Sequence, residues 1–375
     1  MKSNILEYFL SLVKIDSESK NEKEIAYKLK KDIKRLGGKT YFDNAYKKTG
    51  GNIGNLYGYF KGSIDKEPIL LCAHMDTVKP GNNIQPQLEA GKVKSDGTTI
   101  LGADDKSGLA QIIAAIKSIK ANNIKHAPIE VIFTISEEIG LLGAKNVELD
   151  RINSKMGIAF DGHEVGKLMN GAPSQNTLDI RIFGKEAHAG MAPEKGINAI
   201  KVAADAITKM PSGRIDKETT CNLGIISGGK ATNIVPGEVK IKAEVRSHSE
   251  KKLKQITDQM LDTVNATIQT YKDKSIAAKC SYEVINDYQS FFLEKDTKLI
   301  KLAEKTSEKV GLEFDTIIIG GGSDVNIFNR NGIEMAIAGT GMRNVHTKEE
   351  YIKIKDLEAG AKWIEEFIKL YSRGQ

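Results

Sequence analysis

Six side chains stand where apolar runs stop and polar chemistry can begin. His74 follows the run Pro68 to Ala73, Glu137 and Glu138 follow Ile129 to Ile135, and Asp161 follows Gly157 to Phe160. Asp104 precedes a helical pattern, and His346 lies in a loop beyond the run Ile333 to Ala338. Open α/β sheets form their ligand sites at the carboxyl ends of such strands. Any one of these residues also suits an ordinary loop or a helix cap. Together they bring two imidazoles and a set of carboxylates to one rim.

Imidazole nitrogen and carboxylate oxygen suit zinc, manganese or cobalt, and the lack of a thiolate set argues against a structural zinc. His74, Asp104, Glu138, Asp161 and His346 are too many ligands for one open catalytic ion. They are enough for two ions about 3.5–4 Å apart that share a bridging carboxylate. Adjacent Glu137 and Glu138 diverge, so one can ligate while the other faces the reacting water. A metal-bridging hydroxide is then the expected nucleophile, with Glu137 as the base that takes its proton and hands it to a leaving amine. His74 and Asp76 lie two apart in an extended segment and share a face, so Asp76 is expected to hold one imidazole nitrogen while the other binds metal.

The elements that must position these groups follow from periodicity. Compact apolar runs at Pro68 to Ala73, Ile129 to Ile135 and Gly157 to Phe160 have the character of strands buried on both faces. Helical patterns separate them, among them Glu22 to Leu36 and a stripe of Leu109, Ile112, Ile113, Ile116 and Ile119. The fold class is therefore α/β, a mixed, largely parallel sheet with helices on both faces. From about Pro173 the pattern changes to alternation, as in Leu178, Ile180, Ile182 and again in Val239, Ile241, Ala243, Val245. That is half-exposed antiparallel sheet, accompanied by helical stretches at Ile197 to Lys209 and Lys251 to Tyr271. Buried-type elements then return and end in a helix at Lys355 to Tyr371. Residues 1–172 and 287–375 are thus expected to form one discontinuous domain around a small α+β domain at 173–286.

Composition closes off other classes. The 375 residues carry 55 Lys and Arg against 49 Asp and Glu, and this +6 is interleaved and without a long basic block, which argues against nucleic acid as a partner. Cys72, Cys221 and Cys280 are odd in number and far apart, so reduced thiols in the cytoplasm are expected. Glu7 interrupts the apolar N-terminal stretch, which is expected to be a surface helix and not a signal peptide. No run reaches the roughly 18 apolar residues of a membrane span.

HMDTV (His74 to Val78), GADDKSG (Gly102 to Gly108), SEEIG (Ser136 to Gly140), FDG (Phe160 to Gly162), GKEAHAGMAPEKGINAI (Gly184 to Ile200) and GGGSDVNIF (Gly320 to Phe328) occur in the order seen in dinuclear zinc peptidases. The chain resembles the peptidase T branch, beside glutamate carboxypeptidases, aminoacylases and succinyl-diaminopimelate desuccinylase, over essentially its whole length. The resemblance implies two Zn2+ per subunit, with Co2+ or Mn2+ as substitutes. His74, Asp104 and Asp161 would hold one metal, and Asp104, Glu138 and His346 the other. Glu137 corresponds to the general base, Asp76 to the residue orienting His74, and the Asp104-Asp105 peptide is expected to be cis. The middle domain would be a lid and dimerisation domain, its His188 helping to stabilise the oxyanion in the partner's site. Asn233, Arg246 and the Gly320 to Ser323 loop, through Gly321 and Ser323, resemble substrate-contacting positions.

Asp at position 161 resembles the aminopeptidase and dipeptidase members, whereas many acylases and carboxypeptidases carry Glu there. The resemblance therefore implies a homodimeric exopeptidase that cleaves short peptides from a free N-terminus. An N-deacylase or carboxypeptidase of the same family is the alternative, separable by comparing free with N-acylated peptides. A non-catalytic metal-binding relative would be expected to have lost at least one of the residues above. His126, His163 and His248 match no ligand position and are expected at the surface.

Overall fold

The computed structural model describes residues 5–273 and 276–374, so the first four residues of the N-terminal stretch lie outside the described residues. The chain divides into two compact units. One comprises Met1–Gly171, Phe292–Ile319 and Ser323–Gln375; the other comprises Ala172–Phe291 with Gly320–Gly322.

The first unit is built on a mixed sheet. Its centre is parallel: Ile129–Thr134 pairs with Ile69–His74, which pairs with Met156–Gly162, which pairs with Glu334–Gly339. Antiparallel strands flank this centre, Leu56–Phe60 and Lys39–Phe42 on one side and Lys167–Ala172 on the other. Every residue of Ile69–His74 and Ile129–Thr134 is buried, as their unbroken apolar runs require. Glu130 is the exception in type, and its carboxylate accepts the Ser154 N–H at 2.9 Å and the Ser154 hydroxyl at 2.7 Å. A buried carboxylate is tolerated when hydrogen bonds replace its water.

The helix Ala103–Ala121 sets the start of the site. Its apolar stripe was expected to face one side, but every residue from Ala103 to Ile116 is buried. Non-helical dihedrals at Asp104 and Asp105 interrupt its first turn. Gly108 is required there, because a Cβ would lie 2.1 Å from the Phe160 carbonyl oxygen. That close approach brings the helix start beside the end of the strand that carries Asp161. At the far side Gly360 of the helix Ile354–Arg373 admits Gln111, whose side chain donates to the Thr340 carbonyl at 2.6 Å.

A small antiparallel sheet in the same unit contains the hairpin Met342–Arg343 and Tyr351–Lys353. His346 is in the loop between those strands.

The second unit is a five-stranded antiparallel sheet in the order Gly213–Arg214, Thr219–Gly228, Glu238–Ser247, Ser174–Phe183, Lys279–Tyr288. Burial alternates along Ser174–Phe183 and Glu238–Ser247 as the sequence alternation requires. The helices Ala199–Ile207 and Glu250–Thr270 pack their apolar stripes on the buried face, with Val202, Ala206, Met260 and Val264 in a core of its own.

Candidate metal centre

Within the first unit the strand ends converge. His74 closes its strand with a buried ring whose Nε2 lies 3.0 Å from Asp104 Oδ1 and 3.6 Å from Asp161 Oδ1. His346 approaches from the hairpin loop at φ +63°, with Nε2 3.1 Å from Asp104 Oδ2 and 3.0 Å from Glu138 Oε2. The two oxygens of Asp104 therefore face different imidazoles. The peptide bond that follows it, Asp104-Asp105, is cis.

The expected role of Asp76 needs refinement. His74 Nδ1 is 2.9 Å from the Asp76 backbone oxygen but 3.5 Å from its carboxylate, which is too long for a good hydrogen bond. The carboxylate instead accepts the Glu137 N–H at 2.9 Å, the Glu138 N–H at 3.2 Å and the Ser19 hydroxyl at 2.7 Å. Charge-assisted bonds of this kind contribute about 1.5–3 kcal/mol each, so the carboxylate fixes the two glutamates more than it fixes the imidazole. The Asp105 carboxylate accepts the His74 N–H and the Gly108 N–H, both at 3.1 Å, and so ties the strand end to the start of the helix.

The electrostatics show why cations fit. Burial, with the Asp161 carboxylate next in size, pushes Glu137 well above the ordinary carboxylate range. Burial raises Glu138 to about 7 against the opposing hydrogen bond to His346. For His346 the hydrogen bonds to Asp104 and Glu138 dominate and raise it to about 10. Burial alone would depress His74, but the neighbouring carboxylates of Asp104, Asp161 and Asp76 outweigh it and raise it well above its usual value. More acids than bases are confined in one buried cluster, a distribution that divalent cations would neutralise. Ligand atoms of His74, Asp104 and Glu138, and separately of His74, Asp105 and Asp161, lie within 4.8 Å of one another. Their imidazole and carboxylate donors fit zinc, cobalt or manganese.

The family model described as peptidase family M20/M25/M40 matches residues 70–370, a span that contains every one of these side chains. The chain belongs to that family. Within it, this M20 chain is 42% identical over 364 residues to the uncharacterised protein YqjE of Bacillus subtilis (strain 168), covering 97% of each chain. The crystal structure of aminopeptidase PepT from Bacillus cereus ATCC 10987 is similar at 39% identity and a TM-score of 0.88, with 99% of this chain and 98% of that one covered. A tripeptidase from Staphylococcus aureus is similar at 38% identity and a TM-score of 0.93, with coverage of 100% and 99%. The resemblance to peptidase T and the expected fold class both hold.

The remaining expected site residues of the M20 chain fall in two places. Ser323 is in the first unit; its hydroxyl lies 3.2 Å from Asp161 Oδ2, and its N–H donates to Asn326 Oδ1 at 3.0 Å. The Ser323 backbone donor is therefore engaged within the cap of the helix Asp324–Arg330. His188, Asn233, Arg246 and Gly321 are in the second unit. His188 is exposed and bridges to Ile234, while Ala189 N–H donates to the Asn233 carbonyl at 2.9 Å. Arg246 is half-buried and makes a bidentate pair with Glu244 at 3.1 and 3.0 Å. A Cβ on Gly321 would be 3.9 Å from Arg246 Nη1.

Several residues of the site were not visible in the sequence. Ser19 reaches Asp76 across 57 residues. Glu22 accepts both the N–H and the hydroxyl of Ser136 at 3.0 Å. Asp324 accepts the Thr134 hydroxyl at 2.5 Å, and burial raises it to about 7. Only Asp324 had a local signal, its place in GGGSD. His126 corrects an expectation: it is buried, with Nδ1 2.7 Å from the Ala127 carbonyl oxygen.

Proposed function

We propose that the protein is a dinuclear metal aminopeptidase that removes the N-terminal residue from short peptides. The observation that carries this reading is the pair of imidazoles facing opposite oxygens of Asp104. His74, Asp104 and Asp161 would hold one ion, and Asp104, Glu138 and His346 the other. When bound, zinc, cobalt or manganese ions polarise a scissile carbonyl and lower the pKa of the attacking water.

The chain's own groups supply the rest. Glu137 is half-buried with its N–H tied to Asp76, so its carboxylate is presented at a fixed point of the rim. There it takes the proton of the attacking water and returns it to the departing amine. Arg246 is assigned to the substrate carboxylate, for which a guanidinium fork is the natural partner. In this role it would exchange part of its pairing with Glu244. Asn233 and Gly321 are assigned to the same substrate, and His188 to the developing oxyanion.

Self-association is part of the proposal. Ile225 and Ile226 are 60% and 55% exposed on Thr219–Gly228. Among the described residues that strand is paired beyond Cys221 only with Glu238–Ser247, which leaves its other edge open. Open apolar edges are pairing surfaces, and a homodimer through this unit satisfies both features. Among the described residues no helix is long and apolar enough to cross a membrane. The three cysteines are unpaired, which agrees with a reducing compartment such as the cytoplasm.

The test is hydrolysis of matched free, N-acetylated and C-amidated di- and tripeptides by metal-depleted protein resupplied with zinc, cobalt or manganese. Release of the N-terminal residue from the free peptides, abolished by chelation, is expected. Preference for the N-acetylated series would replace the aminopeptidase reading with a deacylase or carboxypeptidase.

A further inference from the structure

Glu350 is fully buried and takes no part in the chemistry assigned above. Its Oε2 accepts the N–H groups of Leu101 and Gly102 at 2.8 and 2.7 Å, and its Oε1 accepts the N–H of Asp104 at 3.0 Å. Amides at a helix start have no intrahelical partner, and the cis Asp104-Asp105 segment departs from helical dihedrals. One carboxylate from 246 residues away satisfies three of these donors at once.

Glu350 is also the last residue before the return strand of the hairpin that carries His346. The loop between them is closed locally, with Thr347 Oγ1 donating to the Asn344 carbonyl at 2.7 Å and Glu350 N–H donating to the Thr347 carbonyl at 3.2 Å. The His346 side chain is half exposed, so packing alone does not fix it. By contrast, His74 and Asp161 are placed by strands in the middle of the main sheet. Glu350 therefore anchors two of the three ligands of the His346 position, His346 and Asp104, but of the His74 and Asp161 position only Asp104, which the two share.

We infer that Glu350 is a positioning residue that sets the affinity of the metal position completed by His346 and Glu138, and affects the position completed by His74 and Asp161 much less. This rests on the two-metal reading proposed above.

The experiment is zinc titration of chelator-stripped full-length protein against a chromophoric competitor, with circular dichroism and the thermal midpoint recorded for each apo sample. Glu350→Gln replaces one acceptor oxygen with an amide group that faces N–H donors. Glu350→Asp retains the charge and shortens the reach. Wild type is expected to bind two equivalents. In Glu350→Gln one equivalent should weaken by about 10–100-fold, as for loss of other groups that orient ligands, while the second stays near wild type; Glu350→Asp should lie between.

Two tight equivalents in Glu350→Gln, or parallel weakening of both, would overturn the inference. Fewer than two equivalents in wild type would overturn the two-metal reading itself, a result distinct from either. If neither variant folds, hydrogen exchange on wild-type apo protein decides. The segments around Leu101 to Asp104 and Asn344 to Glu350 should then open together, and independent opening would contradict the inference.

Discussion

In the first unit the candidate groups are acids and imidazoles locked by backbone amides, whereas in the second they are His188, Asn233 and Arg246, on exposed turns and a half-exposed strand. Asp76 holds the amides of Glu137 and Glu138, and Glu350 holds those of Leu101, Gly102 and Asp104. Among the described residues no buried carboxylate anchors the second set in this way. Arg246 is paired with Glu244 two residues away on the same strand, and the His188 ring accepts the nearby Gly190 N–H at 3.2 Å. The difference matches the two tasks proposed for these groups. Metal ligands must be in place before the ion arrives, since reorganisation would subtract from its affinity. Groups that recognise a substrate carboxylate gain by having a provisional partner that keeps the charge satisfied until the substrate replaces it.

Substitutions break this contrast most severely at its bridge. Asp104→Asn should lose both metals on dialysis and reduce hydrolysis to background, checked by elemental analysis and turnover. Asp76→Ala leaves every ligand in the chain but frees the amides of Glu137 and Glu138; a fall of about 10–100-fold in metal affinity or turnover is expected. Arg246→Met should raise KM by roughly 10-fold for peptides with a free C-terminal carboxylate, the loss of about one charge-assisted hydrogen bond. C-amidated peptides should be nearly unaffected, and an equal loss on both series would remove Arg246 from carboxylate recognition. Ile226→Lys should convert the proposed dimer to monomer by light scattering, with stability changed by no more than about 0.5 kcal/mol because the side chain is on the surface. A dimer that persists would move the interface away from that edge.

Much of this organisation was legible in the sequence, for definite reasons. His74, Glu137, Glu138 and Asp161 end apolar runs whose length and character identify buried parallel strands, and a parallel arrangement brings those ends to one rim. The alternation of the second unit declared its one-sided sheet equally clearly. What escaped notice was set by distance along the chain. Glu350, Ser19 and Glu22 act through hydrogen bonds spanning 246, 57 and 114 residues, and nothing in their immediate neighbours marks them. The complete burial of the early part of Ala103–Ala121 was hidden for a related reason. Lys106 reads as a surface residue, yet its ammonium reaches the Ile15 carbonyl at 2.7 Å, and burial lowers its pKa to about 8.

In the proposed mechanism Glu137 moves the proton while other residues hold the metals. Glu137→Gln separates the two functions, because the amide preserves shape and cannot accept the proton of the attacking water. The decisive measurement is metal content and tripeptide turnover on the same preparation of this variant. Wild-type metal content with turnover reduced by about 10²–10⁴-fold is expected. Full metal content with turnover near wild type would contradict it.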